Sequence, residues 1–258
     1  DLKLLKTFQV TLAAQIGAAL LLTLFGIVVT RVSVPGIGAV DLGWVGYPLT
    51  ILWVVTLTNV FNFMDGLDGL AGGTAVIVAS FLCAVTFLEG SFFVYILCYV
   101  IAASASGFLI FNFPPARLFM GDVGSQFLGF AFAALAVVAA EVDASRTSLL
   151  VAPLLFFHFL FDVFFTLVRR ALCGENITQA HRGHLYQLLN RSGTSHRAIT
   201  LLHYVVTAVQ GGGALYLVQA NSDNRLAVFL PFLVWEIGYA AVVMRRARKA
   251  GLLESPSD

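Results

Sequence analysis

The sequence predicts an all-α, polytopic membrane bundle of about eight transmembrane helices, and three observations carry that prediction. Apolar residues form 59% of the 258-residue chain and charged residues only 11%, where a soluble domain has roughly 25% charged. The apolar residues, 23 Phe among them, gather in runs long enough to cross a bilayer. The few basic residues collect on one side of those runs. So little charge cannot keep a soluble surface of this size wet. Disorder is excluded, since it needs low hydrophobicity and high charge. A net charge of +1 leaves no basic surface for nucleic acid. Cys83, Cys98 and Cys173 form no CxxC pair and read as small apolar fillers that report no redox compartment.

A membrane helix needs about 20 mostly apolar residues. The first such run is 8–30. Val32–Tyr47 follows, and its Pro35, Gly36, Gly38 and Gly43 read as a loop or short hairpin. The second and third runs, 46–62 and 71–88, are parted by Gly66, Gly69, Gly72 and Gly73, which break what otherwise looks like one segment. The fourth, 92–112, is closed by Pro114 and Pro115. The fifth, 124–140, opens after Gly121 and Asp122 and leads to a solvated connector, Glu141–Arg146. The sixth, 148–168, carries His158 and Asp162 four apart, a spacing that lets them pair within the helix. The longest polar segment, 169–197, is too short to hold a core of its own. The seventh run is 198–219, Asn221–Arg225 is a solvated connector, and the eighth run, 225–244, holds one isolated acid, Glu236.

An even number of spans puts both ends of the chain on one side. That side collects Lys3, Lys6, Arg117, Arg169, Arg170, Arg182, Arg191, Arg197, Arg245, Arg246, Arg248 and Lys249. Arg31, Arg146 and Arg225 fall on the other. The positive-inside rule makes the first side cytoplasmic. The chain reads as a single transmembrane domain, 1–258, with 169–197 as its cytoplasmic His/Arg loop. It opens on Asp1 with neither Met nor a signal-peptide pattern, so the expectation is that a longer protein precedes it.

The cytoplasmic loops carry the chemistry. Asn59, Asn62, Asp65 and Asp68 recur every third residue in NVFNFMDGLDGLAGG. On a continuous helix they spread over one half of the cylinder and descend towards its end. Polar groups at membrane depth are costly unless paired or lining a wet cavity. A capping device explains one Asn and one Asp, not four in register. The next pattern is NFPPARLFMGDVGSQFLG, Asn112 to Gly129, with Asp122 just before an apolar run. Asp122 is open to an N-cap reading. A helix N-terminus also attracts anions, and an Asp beside a phosphate calls for a cation. The third pattern, AHRGHLYQ, places His181, Arg182 and His184 together, with Arg191 and His196 downstream. The two His are three apart, which disfavours a zinc helix. Basic and imidazole groups suit a phosphate-bearing substrate, and a solvated, topology-setting loop is the bland alternative.

These loops resemble the polyprenyl-phosphate N-acetylhexosamine-1-phosphate transferase family, glycosyltransferase family 4. The resemblance runs from Asp1 to about Thr200, on N-x-x-N-x-x-D-G-x-D-G-L at Asn59–Leu70, F-M-G-D-x-G-S at Phe119–Ser125 and the histidine loop at His184. It implies transfer of a sugar 1-phosphate from a UDP-sugar to undecaprenyl phosphate in the bacterial inner membrane, with release of UMP. Mg²⁺, or Mn²⁺ in some members, is the implied cofactor, and a homodimer is an allowed state. By resemblance Asp122 is the metal ligand, and Asp1, Asp65, Asp68 and His184 are catalytic. Asn59, Asn62, Asn112, His181 and Arg182 would bind substrate, and Phe119 would stack on uracil. The chemistry agrees with this. Donor and acceptor phosphates repel, and a divalent cation offsets that repulsion. Mg²⁺ prefers few carboxylates plus substrate oxygens.

The departures shape two expectations. Family members usually carry an adjacent Asp–Asp pair before the span that begins near residue 8, whereas here Asp1 stands alone. Its partner and about three further spans are expected upstream, giving about 11 in all. The loop reads H-L-Y-Q and not H-H-H, which points to an O-antigen-type initiating enzyme and away from the muramyl-pentapeptide branch. A transporter is the rival class. Transporters place ionisable groups near the bilayer midplane, and here most acids lie at span ends.

Overall fold

A computed structural model of the chain describes residues 2–34, 38–142, 147–176, 179, 181–220 and 222–253. Its helices are α1 (Leu2–Leu24), α2 (Gly46–Phe63), α3 (Leu70–Glu89), α4 (Phe92–Asn112), α5 (Gly121–Val137), α6 (Val151–Leu155), α7 (Phe157–Leu172), α8 (Leu185–Arg191), α9 (His196–Gln219) and α10 (Phe229–Lys249). Two short strands, β1 (Arg31–Val34) and β2 (Gly38–Asp41), pair antiparallel with Arg31 opposite Asp41. This is the hairpin expected within Val32–Tyr47. The Glu141 connector is tied to it: the Thr30 hydroxyl and the Arg31 N–H both donate to the Glu141 carboxylate.

The all-α polytopic class holds. Gly43–Phe63, Leu70–Glu89, Phe92–Asn112, Gly121–Val142, His196–Gln219 and Asn224–Lys249 are long and apolar enough to cross a membrane. The other two expected spans differ in form. The apolar part of α1 is the shorter Gln9–Leu24. The sixth run is divided at Phe156, which leaves helical geometry with φ −100° and ψ 11°. It is split into the five-residue α6 and the 16-residue α7.

Packing follows the bundle order. α3 lies against α4 and α9, α2 against α5, and α1 against α2. Gly129 permits the α2–α5 approach: a Cβ there would sit 2.8 Å from the Leu57 carbonyl oxygen. Small residues at such crossings replace the hydrophobic drive that lipid removes. The centre is aromatic, with Phe61, Phe132, Phe156 and Phe159 rings 5.3–6.1 Å apart.

α7 is inverted in pattern. His158, Asp162, Thr166 and Arg170 form a buried polar stripe at four-residue spacing, while Phe164, Val168 and Leu172 are exposed. A membrane helix turns its polar face inward in this way because lipid offers no hydrogen bonds. The expected His158–Asp162 pair does not form. His158 Nδ1 lies 2.7–2.8 Å from both oxygens of Glu236 on α10, and Asp162 bonds the segment that opens α8. Glu236 is therefore not isolated, and it ties α10 to α7. Replacing Glu236 with Ala strands the buried His158. The expected loss is about 3 kcal/mol of stability, read as a drop in melting temperature in detergent. An unchanged melting temperature would show that the pair carries no stability.

Candidate active site

The site is built at one end of the bundle from two stitched loops. α2 stops at Phe63, and residues 64–69 turn the chain into α3. Gly69 completes that turn at φ +74°, where a side chain is strained and would also meet Pro114 and Tyr204. The Asn112 carboxamide oxygen accepts from the Gly69 N–H at 3.0 Å, and its NH₂ donates to the Leu118 carbonyl at 2.8 Å. Asp68 Oδ2 accepts from the Ala116 N–H at 3.1 Å. Tyr204 and Thr200 on α9 donate to the Gly69 and Asp68 carbonyls at 2.6 and 2.9 Å. The 64–69 and 113–120 loops thus share one wall. Together they enclose a cavity of about 230 Å³ lined by Asp65, Gly66, Leu67, Asp68, Asn112, Phe119, Met120, Gly121 and Asp122.

The structure brings together most of the acidic candidates. Asp65, Asp68 and Asp122 all face this cavity. Asp122 is exposed in the first turn of α5, and Met120 is the N-cap, with no side-chain cap bond. The N-cap reading of Asp122 is therefore not realised. Asn62 donates to Asp122 Oδ1 at 3.3 Å and to Ser125 Oγ at 2.8 Å, so it orients the acid. Phe119 stands on the cavity wall with 73% of its surface exposed. Asp68 also lies 3.6 Å from His196 Nδ1, a contact between distant parts of the chain that no local pattern announces.

Asn59 does not join the cavity. The helix ends before Asp65, so the expected four-residue register is divided between α2 and the turn. Asn59 lies deeper and exchanges hydrogen bonds with Gln15 of α1, at 2.7 and 3.4 Å. Its NH₂ also donates to the Val55 carbonyl at 2.8 Å. Asp1 lies outside the described residues.

His181, Arg182 and His184 are not among the residues that line the cavity. Leu185, Tyr186, Leu188 and Leu189 of α8 are buried, so this stretch is docked into the bundle and not a solvated loop. His184 is buried, with the Phe63 ring tilted against it at 5.9 Å and Tyr186 stacked on it at 6.0 Å. Asp162 fixes it. Its carboxylate accepts from His184 Nδ1 at 3.1 Å and from the Leu185 and Tyr186 N–H groups at 2.9 and 3.0 Å. Nδ1 thus carries the proton, leaving Nε2 as the other functional atom. His181 is 4.8 Å from the His184 ring. Burial, then neighbouring His184, Arg170 and Arg169, push its pKa down to about 4, so it is neutral at pH 7. The Arg182 side chain is exposed, and its carbonyl accepts from Arg191.

Gly66 lets the two halves close: a Cβ there would lie 2.1 Å from the Tyr186 hydroxyl, which donates to the Phe63 carbonyl at 2.8 Å. Gly66→Ala is expected to cost about 1–3 kcal/mol by overpacking. Adding Tyr186→Phe should return most of that loss in a thermal melt; no recovery would place the clash elsewhere.

The residues fit a divalent cation held with substrate. Burial, and then the Asp122 carboxylate, push Asp65 up to about 7. Two carboxyl groups that repel across one cavity are relieved by a cation between them. Among the described residues no group of three or more His, Cys, Asp or Glu is placed to hold a metal. The remaining ligands would be phosphate oxygens and water, which is the habit of Mg²⁺.

Fold and site define a polytopic helical membrane protein with an acidic cavity at one end of its bundle. The glycosyl transferase family 4 model matches residues 1–140. The chain belongs to that family. It is 34% identical over 227 residues to a Bacillus subtilis (strain 168) protein named a probable undecaprenyl-phosphate N-acetylglucosaminyl 1-phosphate transferase, covering 88% of this chain and 63% of the relative. It is 32% identical over 244 residues to the Mycobacterium leprae decaprenyl-phosphate N-acetylglucosaminephosphotransferase, covering 86% and 61%. A phospho-N-acetylmuramoyl-pentapeptide-transferase of Lactiplantibacillus plantarum matches at 34% over 136 residues, 52% of this chain and 42% of the relative. The chain thus spans less than two thirds of the length of these relatives.

Proposed function

We propose that the full-length protein, as a single transmembrane transferase domain, moves N-acetylglucosamine 1-phosphate from a UDP-sugar to a polyprenyl phosphate and releases UMP. The observation that carries this reading is the convergence of Asp65, Asp68 and Asp122 on one cavity, in a chain of this family. The reading of the donor rests on coverage: the N-acetylglucosamine relatives match 86–88% of the chain and the muramyl-pentapeptide one 52%. Their names specify no O-antigen, and that finer assignment rests on the H-L-Y-Q loop alone. The transporter reading has no support in these relatives. By topology the cavity opens to the cytoplasmic face of the plasma membrane.

The residues divide the work. Asp122 and Asp65 would hold Mg²⁺, with Asn62 fixing the Asp122 carboxylate. The ion, when bound, neutralises diphosphate charge and makes phosphorus more electrophilic. Phe119 offers an exposed ring for the uracil. Asn112 spends both ends of its amide on backbone, so it shapes the cavity wall. His184, held by Asp162 through Nδ1–H, keeps the Nε2 lone pair as a proton acceptor for the transfer.

The test is exchange of labelled UMP into a panel of UDP-sugars by the full-length protein, with and without Mg²⁺. Exchange is expected with UDP-N-acetylglucosamine and only with the metal. No exchange with any donor would overturn the reading.

A further inference from the structure

A second hollow lies away from the acidic site. It is a surface cavity of about 300 Å³ at the end of α10, lined by Val242, Arg245, Arg246, Arg248 and Lys249. We infer that this cavity and the apolar strip below it bind one anionic phospholipid, its phosphate among the cations and an acyl chain along α10.

Helical spacing builds the site. At 100° per residue, Arg245, Lys249 and Val242 share one face, and Arg246 and Arg248 flank it. All four cations are exposed, and among the described residues none forms an ion pair. They surround a hollow, so their fields add where an anion would sit. Down the same face run Val242, Gly238, Trp235 and Val234. The Val242, Trp235 and Val234 side chains are 50%, 48% and 71% exposed. Gly238 is exposed too, and a Cβ there would meet nothing within 4 Å. Its missing side chain leaves a notch between Val242 and Trp235. Opposite on the helix, Glu236, Tyr239, Ala240, Val243 and Ala247 are buried against the bundle. One face of α10 is therefore committed to the protein, and the other presents a cationic head over an apolar track.

Two simpler accounts explain only part of this. Topology needs a count of cations near a span end, and helix-end electrostatics favour cations in the last turn. Neither calls for a hollow at their centre or for a notched apolar track beneath it. A lipid carrying a phosphate and an acyl chain accounts for both. Each cation near an anionic membrane surface contributes about fivefold in affinity.

The test uses purified full-length protein in detergent, incubated with equal amounts of phosphatidylglycerol and phosphatidylcholine of matched chains. Bound lipid is counted by native mass spectrometry. Wild type is expected to retain phosphatidylglycerol preferentially. Arg245→Gln with Lys249→Gln should weaken that retention roughly 25-fold. Arg245→Lys with Arg246→Lys and Arg248→Lys keeps the charge and should keep the lipid. Gly238→Leu leaves every cation in place, fills the notch and should cost about fivefold or more. Wild-type retention by the Gln variant, or equal binding of the two lipids, would overturn the assignment. Unchanged binding in Gly238→Leu would remove the acyl track from it. Retention of added polyprenyl phosphate without phosphatidylglycerol would give the site to the acceptor lipid and sink the phospholipid assignment. None of these readouts depends on transferase activity.

Discussion

Asp122→Asn in the full-length protein is expected to lower sugar-phosphate transfer by on the order of 10³-fold while leaving folding intact. The change is nearly isosteric at an exposed position, and the residue caps no helix. Its one hydrogen bond from Asn62 is long, at 3.3 Å. What the substitution removes is charge at the cavity. With Asp122 neutral, Asp65 loses the repulsion that helps to hold it up at about 7, and the proposed cation site would lose a ligand. The assay is labelled UMP exchange across a range of Mg²⁺, beside a thermal melt. Activity should fall at every Mg²⁺ concentration, recovering only partly at the highest, with the melting temperature unchanged. Full activity at ordinary Mg²⁺ would remove Asp122 from the metal site. A large fall in melting temperature would instead make it a structural residue.

The acidic cavity was legible because its acids sit in short motifs bounded by Gly and Pro, where chain direction is forced to change. Gly66, Gly69, Pro114 and Pro115 mark the turns, and Asp65, Asp68 and Asp122 lie within or beside them. Fold class was legible for a similar reason: hydrophobic length is a local property. Partner choice is not. The three-residue register suggested that Asn59 works beside Asp68, but it presumes an unbroken helix, and α2 ends at Phe63. Four-residue spacing allowed His158 to meet Asp162. Instead α10 brings Glu236 to the one and the start of α8 brings His184 to the other. An intramembrane acid takes the best donor that the bundle supplies, and that is decided by helices far apart in sequence. The burial of α8 had a visible signal in Leu185, Tyr186, Leu188 and Leu189, an apolar face hidden among His and Arg.

Asp162 is the residue whose role only the structure discloses, and Asp162→Asn should lower kcat on the order of 10²-fold with little change in KM for the UDP-sugar. Asp162 is fully buried and is not among the residues lining the cavity, so it acts as a positioning residue for His184. An Asn there keeps one acceptor oxygen and turns an NH₂ towards groups that now donate to the carboxylate. It therefore loses the contact that fixes the His184 proton on Nδ1 together with the Leu185 N–H bond, both made to Oδ1, or else the Tyr186 N–H bond, made to Oδ2. The lost backbone bond costs about 1–3 kcal/mol of stability and belongs to a structural role. A double-mutant cycle separates the two. If Asp162 acts on turnover through His184, the kcat penalty of Asp162→Asn vanishes once His184→Ala has been made, because residues that work as a unit are not additive. The drop in melting temperature, which comes from the backbone of α8, should persist in both backgrounds. Additive losses in kcat would show that Asp162 supports the fold alone. Near-normal turnover in His184→Ala would move both residues out of the chemistry and leave them as the anchor of α8.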